Sequence, residues 1–472
     1  MDVPKFLDHS RGKIWVDVTT LTRWEGRWTG IPRTTASLVH EWLKREDPPL
    51  LCRFDADTHQ FLPVERDVFE AMLDQQVGDD QLPAGAREPS APARSLKQRV
   101  KEGMNWLPDG LKDALRATVA AARLWARCVV RPAKSLLRCG QVGPSIASDE
   151  LPLPLLFQEG DTLLSPGGSW EDQSYLPVLD RLKRTIDLRV VPIIYDLIPH
   201  LLPHFFPSEF APLFRSWLGR FMALADQAIV ISENTRADLL EFLDSWNIPA
   251  PPVDVIRLGD RHPFPGRSHP PVPFLHVGWP PPPFALVVGT VEVRKNHALL
   301  YQAWLRLIEE HGEKVPPLVI AGQRGWLCSE LLHQIENDPR IAGKIIRIER
   351  LTDGELTWLY ENCLFTLYPS HYEGWGLPVS ESLSHGKYCI ASDRSSLKEV
   401  GGHLIDYHDP LDFLKCKHLI ERALFEEEYL PRKEAEIRLE YARTTWRDSA
   451  DALWSILRSE PLDLPERERQ FA

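Results

Sequence analysis

Short apolar runs recur along this 472-residue chain, each ending in glycine, proline or a polar cluster and each followed by apolar positions at helical spacing. Residues 14–19 form the first run. A loop with Gly26 and Gly30 then leads to residues 32–42, whose proline suits the first turn of a helix. Residues 188–195 and 227–231 read as buried strands, and the second meets Ser232, a helix N-cap ahead of residues 237–242. The alternation breaks at 258–283, where proline recurs too often for a helix or a central strand. It resumes with strands at 284–289, 318–321, 344–348, 364–368 and 388–391. Alternating strands and helices predict parallel, doubly wound sheets. The expected fold class is therefore α/β, with two Rossmann-like doubly wound domains facing a central cleft. They span 1–257 and 284–430, flank a stiff Pro-rich linker at 258–283, and are followed by a C-terminal helix within 431–472 that packs back on the first domain.

Composition changes this picture in one place. The chain carries a net charge of −12, which argues against a nucleic-acid partner. Residues 94–138 nevertheless hold eleven basic side chains against three acidic ones, inside an expected insertion at about 85–148. Across 111–131 the basic residues share one helical face and Leu111, Leu115, Val119, Ala122, Trp125 and Val129 much of the other, the pattern of a helix lying in a membrane interface. The expectation is a cytoplasmic protein, peripheral at the inner face of the membrane, that uses 94–138 to hold an anionic lipid surface. Salt-sensitive co-sedimentation with anionic vesicles, lost on deleting 94–138, checks it; binding that survives the deletion rejects it. The seven scattered cysteines lack C-x-x-C spacing, so neither a disulfide framework nor a zinc site is expected.

Two segments carry candidate chemistry. Gly289-Thr-Val-Glu-Val-Arg-Lys-Asn-His297 follows a strand and places Arg294 and Lys295 where a parallel sheet presents its ligand crevice. A guanidinium beside an ammonium suits a phosphate. Because both sit in a loop, their replacement is expected to leave the fold intact. Tyr368-Pro-Ser-His-Tyr-Glu-Gly-Trp-Gly-Leu-Pro-Val-Ser-Glu381 runs from a strand end through Gly374 and Gly376 into a helix, whose free N–H groups favour anions. Glu373 and Glu381 then border one pocket as acceptors for sugar or ribose hydroxyls. Trp24, Trp28 and Trp375 lie in loops where their rings can stack on sugars, whereas Trp304, Trp358, Trp446 and Trp454 read as core. Asp55-Ala-Asp57 is a D-x-D triplet, the basis of a rival metal-dependent reading, and it lies far from the other motifs.

These motifs, together with residues 392–401, resemble the retaining family-4 glycosyltransferases of the GT-B fold, in particular mannosyl- or rhamnosyl-transferases of bacterial surface polysaccharide synthesis. In the first domain Gly30-Ile-Pro-Arg, Asp196-Leu-Ile-Pro and residues 230–236 match in kind and order. The resemblance implies a nucleotide-sugar donor, GDP-sugar favoured over UDP-sugar, and a lipid-linked or polysaccharide acceptor. It implies that Arg294 and Lys295 hold the diphosphate, Glu373 the donor sugar and Glu381 the ribose. Gly30, Gly289, Thr290, Gly374, Trp375, Gly376 and Leu377 would complete the donor site, with Asp196 and His200 on the acceptor side. Tyr195 stands where the family often has histidine, and His200 is the candidate substitute. No metal and no cofactor are expected, because fixed cations and a helix terminus can stabilise a departing diphosphate. Two alternatives stay open: a sugar-nucleotide epimerase or hydrolase of the same fold, and a non-catalytic glycan-binding scaffold.

Overall fold

The computed structural model describes residues 12–24, 28–78, 156–261 and 280–459. The basic segment 94–138 and most of the Pro-rich linker lie outside the described residues. Two parallel sheets organise the rest. The first has strands β1 (Ile14–Asp17), β2 (Leu50–Asp55), β3 (Gln60–Val64), β4 (Thr162–Ser165), β5 (Arg189–Ile194), β6 (Ala228–Val230) and β7 (Val253–Val255), in the order β3-β2-β1-β4-β5-β6-β7. Among the described residues, only the β2–β3 hairpin is antiparallel. The second has β8 (Ala285–Val288), β9 (Leu318–Ala321), β10 (Ile345–Ile348), β11 (Thr366–Tyr368), β12 (Cys389–Ser392) and β13 (Asp406–His408), in the order β10-β9-β8-β11-β12-β13.

Strand order reverses between β1 and β4 in the first sheet and between β8 and β11 in the second. In a doubly wound sheet the crevice at such a reversal, beyond the carboxyl ends of the strands, is where ligands sit. The loop after β8 carries Arg294 and Lys295, and the loop after β11 carries Glu373. Both central strands are fully or almost fully buried, so their ends are held by core packing rather than by loop chemistry.

Local sequence explains the main helices. Ser232 accepts from the Thr235 N–H and caps the Glu233–Ser245 helix, as its position predicts. Thr352 and Glu355 form a reciprocal capping box on Asp353–Asn362, and Thr445 with Asp448 does the same on Trp446–Arg458. The Trp446–Arg458 helix packs on the Gly30–Trp42 helix of the first sheet's lobe: Trp42 Nε1 donates to the Ala450 carbonyl (2.9 Å), and the Trp42 and Trp454 rings lie 6.1 Å apart. Among the described residues no helix is long and apolar enough to cross a membrane.

Candidate active site

Val293–Lys295 forms a short 3-10 turn, closed by Asn296 in the left-handed region (φ 57°), and it aims both cations at the loop after β11. Arg294 Nη1 lies 2.8 Å from Glu373 Oε1 and donates to the Tyr372 carbonyl at 2.6 Å. Its Nη2 lies 2.6 Å from Glu292 Oε1. Lys295 Nζ lies 2.7 Å from Glu373 Oε1 and donates to the Tyr368 hydroxyl at 2.6 Å. Two cations and two carboxylates thus form a buried cluster of zero net charge. The pair does lie in the loop after β8, but it is tied into this cluster, which bears on the expectation that its replacement leaves the fold intact. Buried charges persist only when paired, so the cluster is structural as well as chemical.

Burial pushes the Glu373 carboxyl up, but Arg294 and Lys295 outweigh it and hold it down at about 2. Burial favours the neutral form of Lys295 and lowers its pKa; on Arg294 the same burial is overcome by Glu373 and Glu292, so the guanidinium stays charged. Glu292 is raised by burial. A carboxyl depressed from 4.5 stabilises the fold above pH 4.5 and loses that contribution as pH falls towards 2, about 3 kcal/mol for such a shift. Acid denaturation should therefore steepen through that window in the parent protein and be shallower there in Glu373→Gln. Equal slopes would show that Glu373 is not held by the two cations.

Gly376, at φ 110°, opens the Leu377–Ser384 helix, a backbone conformation that favours glycine. Gly374 is required for a different reason, since a Cβ there would lie 2.1 Å from the Tyr195 carbonyl oxygen of the other lobe. The helix buries Glu381, whose Oε1 lies 2.7 Å from Arg33 Nη2 and whose Oε2 accepts from the Tyr360 hydroxyl at 2.7 Å. Glu381 is thus already engaged by an arginine from the opposite lobe, not merely open to a ribose. Arg33 is the residue that sequence reasoning missed; the signal was the Gly30-Ile-Pro-Arg motif, read only for its glycine. Gly30 is the exposed first residue of its helix, Gly289 follows β8 half-buried, and Thr290 is exposed.

On the first lobe, Asp196 follows β5 and its Oδ1 accepts from the Ile198 N–H (3.0 Å). Burial raises its pKa against the pull of Arg294. Asp196, Tyr195 and Arg294 line a cavity of about 240 Å³ whose remaining wall is apolar, part aromatic and part aliphatic. His200 does not line it; its ring meets that of Phe242 edge-on at 5.0 Å. Trp28 and Trp375 are buried in the core rather than offered to sugars, and the exposed Trp24 lies outside the cavity lining. The aromatic wall instead comes from Trp170, Trp217 and Trp326, none of which stood in a motif. Trp304, Trp446 and Trp454 are core, and Trp358 stacks on Phe284 at 6.1 Å. Asp55 and Asp57 occupy the β2–β3 turn, where Asp55 Oδ1 accepts from the N–H groups of Asp57 (3.0 Å) and Thr58 (3.2 Å).

Two doubly wound lobes, with the charge cluster at the strand-order reversal of the second, define a protein of the GT-B glycosyltransferase fold. Residues 278–406 match the family model described as Glycosyl transferases group 1. Over 188 residues, 39% of this chain, the sequence is 31% identical to O-antigen chain mannosyltransferase B of Escherichia coli, covering 48% of that protein. Over 267 residues it is 26% identical to the serotype-specific mannosyltransferase WbdA of Escherichia coli, covering 56% of this chain and 32% of the relative. The chain thus spans about half or less of the length of these curated relatives. Anabaena HepE, solved with UDP and glucose, superposes with a TM-score of 0.57 at 11% identity, covering 95% of this chain and 100% of that one. That likeness concerns the fold.

Proposed function

We propose that the chain transfers a hexose, with mannose favoured, from a nucleoside diphosphate sugar to a glycan acceptor, lipid-linked or polysaccharide, with retention of configuration and without a metal. The single observation that carries this reading is the neutral Glu292–Arg294–Lys295–Glu373 cluster at the carboxyl ends of β8 and β11. It offers two preorganised cations to a departing diphosphate, the kind of fixed charge stabilisation that lowers a transition state. Glu373, displaced from them by the phosphates, becomes an acceptor for hydroxyls of the donor sugar. The Gly374–Leu377 backbone and the start of the following helix add positive partial charge. Glu381 keeps lone pairs beyond those used by Arg33 and Tyr360, which a ribose hydroxyl can meet. The likeness to two mannosyltransferases favours mannose, and with it a guanosine donor.

A hydrolysis screen across purified nucleotide sugars, read by mass spectrometry, tests the donor. GDP-mannose should be consumed fastest, and EDTA should leave the rate unchanged. NMR of the glycosylated product should show the donor's anomeric configuration. Loss of activity in EDTA with recovery in Mn²⁺ would reject the metal-free mechanism, and an inverted product would reject retention. Release of an epimerised sugar with no acceptor product would favour the epimerase alternative.

A further inference from the structure

The aromatic cavity beside Asp196 has a composition that selects its occupant. Trp170, Phe206, Phe210, Phe214 and Trp217 come from the first lobe, and Trp326 comes from the loop after β9 in the second. Trp326 is 40% exposed, its Nε1 donates to the Phe205 carbonyl (2.8 Å), and its ring lies 5.8 Å from that of Phe206. Trp170 meets Phe210, Phe214 and Trp217 edge-on at 5.4–6.3 Å. These contacts fix the rings before any ligand arrives. Aromatic faces of this kind receive the apolar C–H face of a pyranose, while polar groups at the end of the pocket orient its hydroxyls.

Among the described residues the charged lining consists of Asp196 and Arg294. Both Arg294 arms are already engaged, by Glu292, Glu373 and the Tyr372 carbonyl, and a donor diphosphate would occupy them in turn. With a donor diphosphate on Arg294, no cation of the described lining is left for a second phosphate or carboxylate, and Asp196 repels one. Bringing an unpaired anion there would carry its full desolvation cost. Asp196 Oδ1 is taken by the Ile198 N–H, and Oδ2 has no protein donor among the described residues, which leaves it to accept from a hydroxyl. At about 240 Å³ the cavity falls below the ~300–1,000 Å³ of pockets that hold drug-sized ligands, so one ring fits rather than two.

From this geometry we infer that the cavity is the acceptor subsite and takes one neutral hexopyranose, the terminal residue of an uncharged glycan, with its apolar face against Trp326 and Phe206 and a hydroxyl on Asp196. This rests on the transferase reading for the word acceptor and for the diphosphate that occupies Arg294; the stacking on Trp326 and Phe206 does not. The test titrates the full chain, with GDP in excess to occupy Arg294, with methyl α-D-mannopyranoside, mannose 6-phosphate and methyl α-D-glucopyranosiduronate, following tryptophan fluorescence and saturation-transfer NMR. The neutral glycoside should saturate, and both anionic sugars should bind at least tenfold more weakly. Trp326→Ala should weaken the neutral glycoside at least tenfold, and Phe206→Ala should reproduce this if the first variant folds poorly. Anionic sugars within twofold of the neutral one, no saturable binding of the neutral one, or its unchanged binding in both variants would overturn the inference. GDP-mannose hydrolysis, measured on the same preparations, separates the two readings. Hydrolysis with no glycoside binding rejects only the subsite, whereas Trp326-dependent glycoside binding with no hydrolysis of any nucleotide sugar rejects only the transferase.

Discussion

Replacing Lys295 with alanine is expected to lower kcat/KM for sugar transfer by about 10²–10³-fold, the scale on which one preorganised charge donor acts. The fold should tolerate it, because Glu373 keeps the Arg294 guanidinium at 2.8 Å. Arg294→Ala should cost at least as much activity and behave differently in stability. It strips Glu292, a buried carboxylate, of the cation 2.6 Å away and also removes half of the pairing of Glu373. Breaking such a buried pair from one side costs about 3–5 kcal/mol. Glu292 is already raised by burial, so without Arg294 it will take up a proton more readily. A carboxyl raised in the folded state supports the fold below its unfolded pKa and withdraws that support as pH rises. Denaturant unfolding should therefore show Arg294→Ala more destabilised at pH 7 than at pH 5, with Lys295→Ala, which leaves Glu292 its cation, less destabilised than Arg294→Ala at pH 7. Parent-like turnover in either variant at unchanged stability would remove the two cations from the mechanism. Equal stability losses in the two would show that Glu292 is not held by Arg294.

Most of the second lobe could be read from sequence because its strands are unbroken apolar runs. β9 was expected at 318–321 and is found there, and β8, β10, β11 and β12 differ from expectation by a residue or two at their ends. In the first lobe β4, β7 and the β2–β3 hairpin escaped. β7 has three half-buried residues and no apolar run. β4 is only four residues long and follows a stretch in which the periodic pattern had lapsed. The positions of the candidate residues were legible where a motif follows a buried strand: Arg294 and Lys295 lie after β8 and Glu373 after β11. What sequence could not show was pairing across the cleft. Arg33 meets Glu381 over a separation of hundreds of residues, and Glu399 accepts from the N–H groups of Glu233 (2.8 Å) and Asn234 (2.7 Å) at the start of an opposing helix. The cavity was invisible for the same reason, since its aromatic wall gathers residues from both lobes and no spacing rule connects them.

Removing the Arg33 guanidinium should affect both stability and donor binding, because it is the partner of Glu381 across the cleft. Both side chains are largely shielded from water, and the other carboxylate oxygen is held by Tyr360. Arg33→Ala then leaves a buried carboxylate with one neutral donor, a loss of about 3–5 kcal/mol. Glu381→Gln removes the charge while keeping the shape, and should cost less, because an amide oxygen can still accept from Tyr360. In a double-mutant cycle the two changes should couple by about 2–3 kcal/mol, as residues in one ion pair do. Donor binding tells apart the two roles open to Glu381. If Glu381 only ties the lobes together, Arg33→Ala and Glu381→Gln should weaken GDP binding to a similar degree, through the shared loss of closure. If it also receives a ribose, Glu381→Gln should weaken GDP at least tenfold beyond Arg33→Ala, and should weaken inorganic pyrophosphate, which has no ribose, no more than Arg33→Ala does. Calorimetry with both ligands on the two variants decides between these outcomes. Unchanged GDP affinity in Glu381→Gln would remove the ribose contact and leave the carboxylate as a strut between the lobes.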